Sequence, residues 1–96
     1  MKTIVAANLF RGMEAVGGEL HFEEEKMVFN SHSLNIQTGS TTILYSDIQS
    51  VGNFNTLGVF PNGMYIKNKD GQEFKFVVWN RKELISFIKS KANILE

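Results

Sequence analysis

The 96-residue chain has no cysteine, and that absence removes disulfides, thiolate chemistry and every zinc site built on cysteine ligands. A reducing compartment, the cytoplasm, is the expected address. Net charge is missing too: ten Lys and Arg balance ten Asp and Glu. No overall field therefore draws the chain onto nucleic acid or an anionic bilayer, and nucleic acid is not an expected partner. The balance is uneven along the chain, with three basic and six acidic residues in positions 1–50 against seven and four in positions 51–96. Long apolar runs are absent. The opening stretch "MKTIVAANLFRG" is interrupted by Asn8 and Arg11 before a signal sequence or membrane span would be complete. There is no repeat and no low-complexity segment. The length suits one core of roughly 100 residues rather than two, so a single domain over 1–96 is expected.

Catalytic and metal signatures are equally sparse. His21 and His32 are the only imidazoles, and with Glu23 as the one conceivable third ligand they lack the spacing of a metal site. "NSHS" (30–33) places Ser and His side by side, where adjacent side chains rarely face each other, and no orienting acid or nucleophile elbow accompanies them. "EEEK" (23–26) lacks the spaced oxygens and turn glycine of a calcium loop. Gly12, Gly17 and Gly18 precede no strand-to-helix transition, so they form no dinucleotide fingerprint. No enzyme activity, cofactor or metal is expected.

What the chain does contain is strand periodicity. Apart from Asn8, residues 3–10 are β-branched or apolar and run into Gly12 and then Gly17-Gly18, a first strand followed by a glycine-marked turn. In "ELHFEEEKMVF", Leu20 and Phe22 alternate with Glu19, His21 and Glu23, and Met27 and Phe29 repeat the spacing. Pairing Phe22 with Met27 also pairs Leu20 with Phe29 and puts all four on one face, through a two- or four-residue connection. Leu34 and Ile36 mark a short strand, residues 41–45 another, and Ile48 and Val51 lead into the next. In "GMYIKNKDGQEFKFVVW" a two-residue Asp70-Gly71 turn would mix polar and apolar residues on both faces. A three-residue loop, Lys69-Asp70-Gly71 with Gly71 left-handed, instead sets Ile66 against Phe74, Met64 against Phe76, Lys67 against Glu73 and Tyr65 against Lys75. The chain then ends in a predicted helix, with Asn80 and Glu83 as a capping box and an apolar stripe of Leu84, Phe87, Ile88, Ala92 and Leu95. Strands followed by one amphipathic helix give a mainly β, α+β architecture in which the helix covers the open end of a small curled sheet or barrel.

Gly18-Glu19-Leu20-His21-Phe22, Met27-Val28-Phe29, Asp47-Ile48 and Phe74-Lys75-Phe76 running into the helix together resemble the GRAM domain, a pleckstrin-homology-like superfold, in its small single-domain bacterial form. The resemblance covers roughly residues 5–93 and rests on the order and spacing of these elements. It implies a barrel or sandwich of two nearly orthogonal antiparallel sheets, about seven strands, capped by one C-terminal helix. It also implies a binding module, since eukaryotic GRAM domains are typically linked to phosphoinositide or other anionic-lipid binding and to protein contacts at membranes. The first hairpin departs from the polyphosphate-gripping pattern: in "RGMEAVGGE" Arg11 is the one cation, beside Glu14 and Glu19.

Three surface features carry the functional expectations. A basic set, Lys67, Lys69, Lys75, Arg81, Lys82, Lys89 and Lys91, offers an anionic-ligand surface centred on Lys67, Lys75, Arg81 and Lys82, with Asp70, Glu73 and Glu83 interleaved as on an ordinary solvated face. Tyr65, Val77 and Trp79 face outward by alternation, although Trp79 precedes the helix and packing beneath it is equally open. In "NTLGVFPNGMYI" the pattern favours a tight reversal at Pro61-Asn62-Gly63, with Leu57, Val59 and Phe60 turned into the core; a partner-facing patch and a membrane finger are the alternatives. The expected function is a non-enzymatic module that contacts a partner protein, or itself, through a sheet edge or an exposed aromatic patch containing Leu57, Phe60, Tyr65 and Trp79. The alternative is peripheral binding to an anionic membrane surface through Lys67, Lys75, Arg81 and Lys82.

Overall fold

The computed structural model describes residues 3–32 and 40–95; the strand expected around Leu34 and Ile36 lies outside them. Seven strands, β1 (Ile4–Arg11), β2 (Glu14–Phe22), β3 (Lys26–Ser31), β4 (Ser40–Leu44), β5 (Ile48–Thr56), β6 (Phe60–Asn68) and β7 (Glu73–Val78), precede one helix, α1 (Arg81–Lys91). All pair antiparallel in one sheet of order β4-β3-β2-β1-β7-β6-β5. The two expected layers are the two halves of this sheet. They meet at a short seam where Ala7, Asn8 and Leu9 of β1 pair with Val78, Val77 and Phe76 of β7. The two edge strands are consecutive in sequence, joined by the single 3-10 turn Tyr45–Asp47. Three connecting residues span at most roughly 14 Å, so the sheet must curl until its edges approach.

The hydrophobic pattern set the register. Phe22 pairs with Met27 and Leu20 with Phe29. Met64 pairs with Phe76, Ile66 with Phe74, Tyr65 with Lys75 and Lys67 with Glu73. The β6–β7 loop closes as expected: the Asn68 N–H donates to the Gln72 carbonyl at 2.8 Å, and Gly71 takes φ 92. A one-residue slip would have sent Phe74 and Phe76 to solvent, and burial forbids it. Gly17 and Gly18, by contrast, lie inside β2, and the β1–β2 turn is made by Gly12 (φ 63) with Met13. Gly18 is needed for close approach, because a Cβ there would run into the backbone carbonyl of Asn30 on β3.

Inside the curl, Leu20, Met27, Phe29, Met64, Ile66 and Phe76 are almost wholly buried. The Phe29 and Phe76 rings, one from each half of the sheet, lie 6.0 Å apart. Helix α1 closes the core with Leu84, Ile85 and Ile88, and Phe87 packs edge-on to Phe22 at 5.5 Å. Two expectations about this helix need correction. Asn80 occupies the cap position without a side-chain capping bond, so the box with Glu83 does not form. Leu95 is 93% exposed, because the helix stops at Lys91 and Asn93 reverses the backbone at φ 59. Ile85 joins the buried face, and beyond the helix it is Ile94, not Leu95, that packs against the core.

Tyr45, buried between the edge strands, donates its hydroxyl to the Glu23 carbonyl at 3.0 Å. Burial, and then the Glu23 carboxylate, push its phenol from 10.0 up to about 12. The folded state thus favours the neutral phenol; that stabilisation is fully present below pH 10 and is lost as pH rises from about 10 to about 12. Tyr45→Phe is expected to cost about 0.5–1.5 kcal/mol at neutral pH for the lost hydrogen bond. In thermal melts across the alkaline range, wild type should lose an increment of Tm that the variant does not. Parallel alkaline profiles would contradict the assignment.

Candidate binding surface

The β5–β6 hairpin differs from its expected form. The reversal is made by Leu57-Gly58-Val59, with Leu57 at φ 53 and Gly58 at φ 75, and the Val59 N–H donates to the Thr56 carbonyl at 3.1 Å. Pro61-Asn62-Gly63 is not the turn; it lies within β6. Register between β5 and β6 jumps from Phe54↔Gly63 to Thr56↔Phe60, so Pro61 and Asn62 form a bulge. A bulge tolerates the missing proline N–H. β7 pairing has also ended there, at Gly63↔Val77. The hairpin therefore continues past the body of the sheet as a two-stranded arm, braced by the Thr56 hydroxyl donating to Asn62 Oδ1 at 2.7 Å.

This arm overturns the expected core placement. Leu57 is 88% exposed, Val59 69% and Phe60 52%. Leu57 also holds a left-handed backbone that a branched side chain rarely adopts, a local strain the arm's bracing must offset. At the base of the arm, Arg81 Nη1 donates to the Phe54 carbonyl at 2.8 Å, with the Gly63 carbonyl at 3.3 Å and Asn55 Oδ1 at 3.4 Å. One guanidinium thus ties the start of α1 to both strands of the arm.

Beside the arm, the outer face of the sheet carries aromatic rings laid over glycines. A Cβ on Gly63 would come within 2.7 Å of Phe54 Cζ, and one on Gly52 within 2.6 Å of the Tyr65 ring. Each ring therefore reaches across to cover the glycine of the neighbouring strand. Phe54 also meets Phe10 at 6.4 Å, and Lys75 Nζ stands 5.5 Å from the Phe54 ring centroid. Between the arm and the β1–β2 turn lies a groove of about 430 Å³, walled by Phe10, Gly12, Phe54, Leu57, Lys75 and Val77. Met13, next to Gly12 at that turn, is fully exposed.

The expected interface residues do not converge on one patch. Leu57 and Phe60 are on the arm, and Tyr65 is half-buried over Gly52. Trp79 is 76% exposed rather than packed beneath the helix, and it lines a separate broad groove along α1 with Lys82, Ser86 and Phe87. The expected basic set is likewise dispersed. Lys67 lies opposite Glu73, Lys75 is 3.7 Å from Glu73 Oε1, Arg81 serves backbone carbonyls, and Lys82 borders the helix groove. Phe10, Phe54 and Gly63 were not foreseen. Phe10 was legible as the outward position of an alternating strand, whereas the stacking of Phe54 on Gly63 depends on cross-strand register and has no local signal.

Among the described residues no group of three His, Asp or Glu side chains could hold a metal ion; His21 Nε2 instead faces Glu19 Oε1 at 3.6 Å. No helix among them is long and apolar enough to cross a membrane.

The fold places the chain with curled antiparallel sheets closed by a C-terminal helix. It is similar to the crystal structure of the C-terminal domain of an unknown protein from Leishmania infantum, with TM-score 0.80 and 15% identity over 94% of this chain and 81% of that one. At that identity the likeness concerns the fold alone. No family model and no curated protein matches the chain.

Proposed function

We propose that the chain is a non-enzymatic protein-binding module, of the kind its resemblance to GRAM domains implies, and that the β5–β6 arm with its adjoining groove is the contact surface. One observation carries this reading: three large apolar side chains, Leu57, Val59 and Phe60, stand in solvent on an arm that Arg81 and the Thr56–Asn62 bond hold in place. Scattered exposed apolar residues need no explanation, but a contiguous group beside an apolar groove is the usual mark of an interaction site. Lipid binding is the weaker reading. A membrane-seeking loop sets free cations beside its apolar tip, whereas Lys75 is near Glu73 and Arg81 is turned onto carbonyls.

The test is a displayed peptide library panned on the wild-type chain and on the double variant Val59→Ser, Phe60→Ser. Peptides enriched on wild type should bind the variant at least about tenfold more weakly. Equal enrichment on both proteins, or none on wild type, would contradict the reading. Acidic liposomes at low salt are expected not to sediment the chain.

A further inference from the structure

We infer that the groove is built to receive the arm of a second copy of this chain, so that two copies exchange arms about a two-fold axis. The inference rests on the arm being a protein-contact surface and names its occupant. An isologous interface requires one surface that is complementary to itself, with protrusion and recess side by side so that each copy both gives and receives. The arm and the groove meet this requirement. Leu57 at the arm's tip is itself a wall of the groove, while Val59 and Phe60 stand outside it, 69% and 52% exposed. At about 430 Å³ the groove takes a group larger than one side chain, which suits Val59 and Phe60 entering together against Phe10, Phe54 and Val77.

Charge argues for the same occupant. From Ile48 to Ile66, nineteen consecutive residues, there is no Asp, Glu, Lys or Arg. An arm of that composition brings no charge of its own into the groove, whose charged wall, Lys75, keeps Glu73 beside it. The chain's net charge is zero, so two copies approach with no long-range repulsion. An acidic or basic partner would find little to match, because Lys75 at the groove wall is already beside Glu73.

Sedimentation velocity of the full chain from micromolar concentration to about 1 mM tests this. Wild type should show a concentration-dependent monomer–dimer equilibrium. The arm variant Val59→Ser, Phe60→Ser and the groove variant Val77→Glu should each weaken it by roughly tenfold or more. The two variants alter the tip of the arm and β7, at exposed and half-buried positions, so both should stay folded. Mixing them should restore part of the association, since the mixed pair keeps one intact arm facing one intact groove. That recovery is not expected from variants that merely damage the fold. A strict monomer at about 1 mM, or a dimer indifferent to both variants, overturns the inference. If wild type is monomeric yet selected peptides still require Val59 and Phe60, only the second copy is wrong; if the peptides also fail, the contact surface itself is.

Discussion

Phe76→Ala is expected to cost about 3–5 kcal/mol of unfolding free energy, the range for deleting a fully buried phenylalanine. For a domain of this size that is a large share of the roughly 5–15 kcal/mol available, and the variant should be partly unfolded near its working temperature. The reason is the position of the ring. Phe76 has no exposed surface, pairs with Met64 on β6 and with Leu9 on β1, and reaches Phe29 on β3 at 6.0 Å. It therefore fastens the two halves of the sheet across the core at the place where hydrogen bonding between them is shortest. Val77→Ala, next along the same strand but on the outer face and only half-buried, should cost about 1 kcal/mol or less. Urea unfolding of the two variants beside wild type checks this. A Phe76→Ala loss close to that of Val77→Ala would mean that the interior is not closed around this ring.

Gly63→Ala is expected to act on stability and binding together. An added Cβ would come within 2.6 Å of the Phe54 carbonyl oxygen and 2.7 Å of its ring, so both the β5 backbone and the ring must move. Overpacking of this kind costs typically about 1–3 kcal/mol. Because Phe54 floors the groove and meets Phe10 and Lys75, its displacement should also weaken peptide capture by about tenfold. Gly58→Ala makes the informative comparison. Its Cβ would meet nothing, but its φ of 75 is left-handed, so it should cost about 1 kcal/mol of backbone strain while leaving the groove intact. Equal effects of the two substitutions on capture would remove the special role given to the ring over Gly63.

These two glycines show what was legible in the sequence and what was not. Alternation in "ELHFEEEKMVF" and "GMYIKNKDGQEFKF" set the strand register of both hairpins, because one face of each strand had to be buried and only one register buries it, while the length of the Glu23–Lys26 connection stayed open. The stretch "LGVFPNG" was misread for a physical reason. Pro-Asn-Gly has the local chemistry of a turn, but so does Leu-Gly with glycine left-handed, and the choice was made by where β7 stops supporting β6. That is a long-range fact. With the turn moved toward the N-terminus, Leu57, Val59 and Phe60 left the core, and the partner-facing alternative for this segment replaced the favoured core placement. The helix end was missed for a similar reason, since the stripe spacing continued through Leu95 while the reversal at Asn93 did not announce itself. Lys67 and Lys75 share one face of the last hairpin as alternation implied, but charge composition does not disclose that Arg81 would be spent on the carbonyls of Phe54 and Gly63.

The most direct measurement is amide chemical-shift mapping on isotope-labelled wild-type chain, titrated with a peptide selected against it. Shifts concentrated at residues 54–60, at Phe10 and Gly12, and at Lys75 and Val77 are the result expected of an arm-and-groove contact surface. Shifts concentrated instead along Trp79, Lys82, Ser86 and Phe87, with the arm unmoved, would place recognition on the helix groove and contradict the account.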